Sequence, residues 1–368
     1  MRVALVVPGG VDRSGEYRVI PALLALIGRL ALHHDVQVFA LRQGEHADSW
    51  DLAGAHVHNI GSSHTRLRAV RAICNAHRSS RFDLVHAIWS GPCGLVTVTA
   101  AKILAIPSLI HIGGGELVSL PGIGYGGSLR WRSRLREKLV LRTASAVTAA
   151  SAPVLQALGH LGVTAQRVPL GVDLRSWPPR APRLRSQGAC ARLIHVASLN
   201  RVKDQTTLLV ALAELARSGT RFEIDIVGED TLGGEVQALA SRLGIAGSIN
   251  FRGFVPQRDL RALVAVADLM IMASRHEAGP MAMLEAAVLG VPTVGTAVGH
   301  ITEWAPGAAT CVPVGDATAL ARAIGALLND EEQRLRIAHE ALQRATREDA
   351  DFTARRFQTL YDGLTAPR

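Results

Sequence analysis

Two glutamates, Glu277 and Glu285, stand eight residues apart, with Gly279, Pro280, Met281, Ala282 and Met283 between them. Glu277 falls in a short loop directly after the apolar run at 269–273, and Glu285 on the helix that the pattern opens near Pro280. Proline suits a first helical turn because its missing N–H would have no partner there. The remaining free N–H groups of such a turn, from Gly279 to Met283, make a seat for phosphate. A carboxylate beside that seat would repel phosphate, so Glu277 and Glu285 are better read as acceptors for sugar hydroxyls. Taken singly, Glu277 could also cap the helix and Glu285 could be a solvated surface residue. Arg201 and Lys203 lie in the turn that follows another strand-like run, residues 192–197. A cation at such a turn can neutralise a diphosphate leaving group, although Arg and Lys are also ordinary on surface loops.

These side chains need a frame that brings them to one place. Short β-branched runs at 3–7, 36–39, 84–87, 108–112 and 146–149 alternate with helical-period segments, and the pattern restarts at 192–197, 222–227, 249–251, 269–273 and 293–295. Such alternation predicts an α/β protein with parallel, doubly wound sheets. Between the two series lie Trp177, Pro178, Pro179 and Pro182, which cannot continue a helix or a central strand. The expected organisation is a first domain at 1–173, a linker at 174–190, a second domain at 191–348 and a C-terminal helix at 349–368 that returns to the first domain. Two Rossmann-like domains would face each other across a cleft, since ligands on open parallel sheets bind beyond the carboxyl ends of the strands.

Composition narrows the functional classes. A chain of 368 residues with 48% hydrophobic and 19% charged residues can bury two cores and is not globally disordered. The apolar stretches are too short or too interrupted for a membrane span, and the N-terminus lacks the pattern of a signal peptide, so a cytosolic protein is expected. Cys74, Cys93, Cys190 and Cys311 are far apart, which argues against a zinc or redox site and leaves buried thiols. The net charge of +9 suits phosphorylated substrates or an anionic membrane surface. Nucleic acid is the weakest partner: only 15 aromatic residues are available for stacking, and no DNA-binding motif is visible.

Together, the segments around Lys203 and Glu277 resemble the donor site of the retaining glycosyltransferases of family 4, which have the GT-B architecture. The spacing of Glu277 and Glu285 matches that family's paired glutamates, and Lys203 matches its donor-phosphate lysine. The resemblance implies that Glu285 holds the ribose hydroxyls of a nucleoside-diphosphate sugar, Glu277 the transferred sugar, and the amides from Gly279 to Met283 the diphosphate. It continues through Gly290, Pro292, Gly299, His300 and Glu303, and through residues 168–173, so it spans nearly the whole chain. It implies no metal and no cofactor beyond the donor substrate. Two departures stand out. Ser198 occupies the place of a family arginine, for which Arg201 is the substitute at hand. Gly113 occupies the place of a family histidine, with His111 two residues earlier; His111 is read either as its replacement or as a structural histidine, and His86 as a core histidine.

Three further segments bear on the acceptor. Gly10 belongs to a glycine-bearing loop after the first strand, at 8–16, where a backbone without side chains could approach a donor closely. Gly122, Gly124 and Gly127 match a dinucleotide fingerprint, but no strand precedes them directly, so they are read as a mobile loop beside the acceptor site. The basic stretch at 130–142 sets Trp131, Leu135 and Leu139 at one-face spacing among six Arg and Lys residues. Such a helix can lie on anionic lipid or simply present a charged face to water. The acceptor is therefore expected to be a glycan or a lipid-linked molecule, with the protein partly on the inner face of a membrane. A nucleotide-sugar epimerase, a catalytically silent binding protein and a nicotinamide-dependent oxidoreductase are the competing readings; the last lacks a correctly placed glycine fingerprint.

Overall fold

The computed structural model describes residues 1–186 and 188–366. The chain divides into two compact units, Met1–Gly171 with the segment from Ala350 on, and Val172–Asp349. The elements of the first are β1 (Arg2–Val7), α1 (Pro21–Ala31), β2 (Asp35–Ala40), β3 (Asp48–Leu52), β4 (Ala55–Asn59), α2 (Thr65–Ser79), β5 (Leu84–Ile88), α3 (Gly91–Leu104), β6 (Ser108–Ile112), α4 (Trp131–Thr143), β7 (Ala146–Ala149), α5 (Ala152–His160) and β8 (Gln166–Arg167). Its sheet runs β3-β4-β2-β1-β5-β6-β7-β8, parallel throughout except for β3 against β4. Val3, Ala4, Leu5, Val6 and Val7 of β1 are all fully buried. A strand covered on both faces selects an unbroken apolar run, which is why β1 does not alternate.

The second unit follows with β9 (Ala191–Val196), α6 (Gln205–Arg217), β10 (Phe222–Val227), α7 (Glu235–Arg242), β11 (Ile249–Gly253), α8 (Gln257–Ala265), β12 (Leu269–Met272), α9 (Met281–Val288), β13 (Thr293–Thr296), α10 (Gly299–Trp304), β14 (Thr310–Val312), α11 (Ala317–Asn329) and α12 (Glu331–Arg347). Its six strands are all parallel, in the order β11-β10-β9-β12-β13-β14. Side chains of β12 alternate between two cores. Leu269 and Ile271 join the cluster under α6 and α11, whereas Met270 and Met272 join the one that holds Met283, Leu284 and Trp304.

The described residues of the stretch at 174–190, expected as a linker, run along this second unit. Trp177 is 2% exposed in the same core as Met270, and the Arg180 N–H donates to the Val288 carbonyl at 2.9 Å. A buried tryptophan holds such a segment by the large apolar area it removes from water. Past α12, the final helix α13 (Ala350–Thr365) belongs to the first unit. Phe357 and Tyr361 are fully buried there, the Tyr361 hydroxyl is 2.7 Å from His86 Nδ1, and Asp351 pairs with Arg29 of α1. Among the described residues no helix is long and apolar enough to cross a membrane.

Candidate active site

In the second unit β9 lies between β10 and β12, so the connections leave the sheet in opposite directions from β9 and β12. Loops after two such strands part and leave a crevice at their carboxyl ends. The loop 197–204 follows β9 and the loop 273–280 follows β12, and three contacts tie them together. The Arg275 N–H donates to the Val202 carbonyl at 2.7 Å. The Arg275 guanidinium meets Asp204 Oδ2 at 3.0 Å. Lys203 Nζ donates to Glu277 Oε1 at 2.6 Å.

Each participant is held by local chemistry. Asn200 Oδ1 accepts the N–H groups of Val202 and Lys203 at 3.2 and 3.1 Å, which fixes the turn that presents Lys203. Asp204 caps α6 by accepting from Thr207 N–H and hydroxyl. The Ser274 hydroxyl donates to the same Glu277 oxygen at 2.7 Å, so the carboxylate is oriented from two sides. Beneath them His195, fully buried on β9, donates from Nδ1 to the Ile271 carbonyl at 2.9 Å and accepts from Gln205 Nε2 at 3.2 Å. Burial lowers its pKa to about 4, which keeps it neutral and able to serve both bonds.

Glu285 is 7% exposed on α9, and Gln257 Nε2 at the start of α8 donates to it at 2.8 Å. Burial raises its pKa to about 7, only partly opposed by the Gln257 bond. A carboxyl in this state has acceptor capacity to spare. Pro280 stands at the N-cap of α9, and no side chain caps the helix, so its first turn is open to an anion. Gly299, at φ +50°, comes so close to the loop that a β-carbon would lie 2.9 Å from the Glu277 carbonyl oxygen. The backbone at the start of α10 thereby supports the Glu277 turn.

Lys203, Glu277 and the turn from Gly279 to Met283 thus meet in one unit, with Glu285 on the adjoining helix. Arg201 does not join them: its side chain is 62% exposed and pairs with Glu235 of α7 at 3.6 Å. Ser274, Arg275, Asp204, Gln257 and His195 are the participants that sequence reasoning missed. The positions of Ser274, Arg275 and Asp204 beside the motifs could have pointed to them; His195 lies in the strand run before the Lys203 turn with no signal of its own, and Gln257 lies in another segment.

In the first unit the candidate residues sit as follows. His111 is fully buried on β6, with Nδ1 3.0 Å from Thr148 Oγ1 and its ring 5.6 Å from Phe357 of α13. Its side chain is not exposed to solvent, and burial lowers its pKa to about 3. Its ring sits in the core, as does that of His86. Gly10 is required by its own chain, since a β-carbon there would stand 2.6 Å from the Ile20 side chain. The loop with Gly122, Gly124 and Gly127 is cross-linked by backbone hydrogen bonds: Leu120 and Tyr125 bond each other through both backbone groups, and Gly127 N–H donates to Gly115 O at 2.8 Å.

Comparison with known proteins agrees with this architecture. The family model "Glycosyl transferases group 1" matches residues 184–344, and "Glycosyl transferase 4-like domain" matches residues 19–171. EpsF of Bacillus subtilis is 26% identical over 255 residues, covering 65% of this chain and 64% of EpsF. The chain therefore spans less than two thirds of that relative's length. The structure of sucrose-phosphate synthase from Thermosynechococcus elongatus superposes with a TM-score of 0.81 at 17% identity, covering 99% of both chains. Anabaena HepE, solved in complex with UDP and glucose, gives a TM-score of 0.76 at 20% identity over 99% of this chain and 100% of HepE. These likenesses show the fold: two Rossmann-like α/β units of the GT-B type. One family model on each unit, together with these relatives and structures, supports a GT-B glycosyltransferase of the group 1 type.

Proposed function

We propose that this protein transfers a glycosyl unit, with retention of configuration, from a nucleoside-diphosphate sugar bound by the second unit to a hydroxyl acceptor bound by the first. The anomeric C–O bond to the diphosphate breaks, a glycosidic C–O bond forms, and the acceptor proton leaves with the nucleoside diphosphate. The observation that carries the reading is the Lys203–Glu277 contact of 2.6 Å, at the switch point between β9 and β12 and beside the open first turn of α9. The two family-model matches and the nucleotide and sugar in the HepE complex support it.

In this reading Glu285 accepts the ribose hydroxyls, Glu277 accepts hydroxyls of the transferred sugar, and the amides from Gly279 to Met283 receive the diphosphate. Lys203 turns from Glu277 towards the phosphate oxygens as charge develops on the leaving group, which is where a fixed cation lowers the barrier most. No metal or cofactor has a part in this step. Retention rests on the resemblance of the paired glutamates. The α4 helix, with Trp131, Leu135 and Leu139 all more than half exposed among cations, docks on an anionic membrane and places the protein on its inner face.

The test is product analysis. Purified protein is incubated with nucleoside-diphosphate sugars and a panel of glycan and lipid-linked acceptors. The account expects nucleoside diphosphate release that depends on the acceptor, and by NMR a product anomer matching that of the donor. Donor rearrangement without acceptor would point to an epimerase, binding without turnover to a silent scaffold, and an inverted anomer would overturn retention.

A further inference from the structure

The first unit has a switch point of its own, where β1 lies between β2 and β5, and a cavity of about 900 Å³ opens there. Pro8 after β1 and residues 89–93 after β5 line it, and its volume is that of a small-molecule site. Five charged side chains with a full formal charge also line it: Arg42, Arg66, Arg136, Glu116 and Glu137. The two carboxyl groups are already engaged. Glu116 accepts the N–H groups of Ser90, Gly113 and Gly114 at 3.3, 3.3 and 2.7 Å, and Glu137 accepts that of Gly91 at 3.3 Å. Burial pushes both towards the neutral acid. No ion pair to Arg42, Arg66 or Arg136 forms among the described residues. Arg136 acts electrostatically on Glu137, whereas Arg42 and Arg66 have no such partner among the described residues, so the cavity holds an excess of guanidinium charge.

We propose that this cavity binds a phosphate or diphosphate group carried by the acceptor, which deepens the reading of the first unit as the acceptor side and rests on it. Guanidinium forks match pairs of phosphate oxygens and remain charged at any working pH. The source of the phosphate is a lipid. Arg136 belongs to α4, the helix that exposes Trp131, Leu135 and Leu139 by 59%, 57% and 56%. By helical spacing Arg132 and Arg136 lie on the shoulder between that apolar stripe and the buried Val140. A headgroup held by Arg136 has an apolar strip beside it for its chain, whereas a soluble sugar phosphate would leave that strip without a partner.

The experiment titrates the full chain, with its donor site saturated by nucleoside diphosphate, with farnesyl diphosphate below its micelle concentration, farnesol and inorganic pyrophosphate. Farnesyl diphosphate is expected to bind at least tenfold more tightly than farnesol. Replacing Arg42, Arg66 and Arg136 by glutamine should weaken it about a hundredfold or more, since each lost charged hydrogen bond accounts for about tenfold. The single Arg66→Gln variant, exposed on α2, should lose about tenfold and serves if the triple variant does not fold. Pyrophosphate binding as tightly as farnesyl diphosphate, with the same arginine dependence, would keep the phosphate assignment and overturn the lipid source. Equal affinity for farnesol, or undiminished affinity in the variants, would overturn the proposal. Nucleoside diphosphate affinity, followed in the same samples, should not change; its absence in the wild type would instead sink the donor-site reading.

Discussion

Glu285 is costly to the empty protein. Its pKa of about 7 lies above the unfolded value of 4.5, so the folded state holds its proton more firmly than the unfolded chain. Stability falls as pH rises from the unfolded value and is lowest above the folded one. Glu285→Gln should therefore stabilise the ligand-free protein at pH 8, by on the order of 1–3 kcal/mol, while removing nucleotide-dependent stabilisation. Denaturant unfolding at pH 5 and pH 8 checks this, and a variant no more stable at pH 8 would contradict it. Nucleotide affinity should rise as pH passes about 7, because the ionised carboxylate is the better acceptor of ribose hydroxyls. Lys203→Ala leaves Glu277, 10% exposed, with the Ser274 hydroxyl as its charge-free partner, and should lower kcat about 100-fold or more. Steady-state kinetics would contradict this by showing a change confined to KM. Gln257 was illegible beforehand because an amide partner carries no spacing rule, and only the fold brings residue 257 beside residue 285, whereas Ser274 had its place beside the motif as a signal.

Among the elements, the ten apolar β-branched runs read from the sequence all became strands; those buried on both faces, such as β5, β6 and β12, write themselves as continuous runs. The hairpin of β3 and β4 did not announce itself. Its strands mix Asp48, Asp51, His56, His58 and Asn59 with Trp50 and Val57, and the chain turns at Ala53 and Gly54, both at positive φ. Alanine is an unusual residue for such a turn, so the hairpin is imposed by pairing with β2 and not by local preference. The α13 helix gives a pH prediction of its own. It covers His86 and His111, whose pKa values burial lowers, that of His111 to about 3. The unfolded chain takes up these protons below about 6.5 and the folded chain does not, so stability present above that pH is lost as pH falls. Each such histidine should contribute a slope of about 1.4 kcal/mol per pH unit between pH 6 and pH 4. Replacing His111 by Asn should flatten the acid limb of stability measured by denaturant unfolding; an unchanged limb would rule out this source.

For the whole molecule, the alternation of runs made the two-sheet organisation readable, while the described part of the proline-rich stretch, from Trp177 on, misled: proline excludes helix and central strand but not burial of a neighbouring tryptophan. The basic charge and the α4 stripe carry a prediction at this scale. The full chain should sediment with vesicles rich in anionic phospholipid, and Leu135→Ser with Leu139→Ser should reduce the bound fraction several-fold without changing nucleotide affinity. Equal sedimentation of wild type and variant would remove α4 from the membrane contact. The central claim, that the second unit holds a nucleotide sugar at Lys203, Glu277 and Glu285, is tested most directly by thermal unfolding with a panel of nucleoside diphosphates and their sugars. A ligand at a hundred times its Kd should add about 2.7 kcal/mol, readable as a clear rise in Tm. The account predicts such a rise with one nucleotide in the wild type and none in Glu285→Ala. No rise with any of them, or one that survives in the variant, would contradict it.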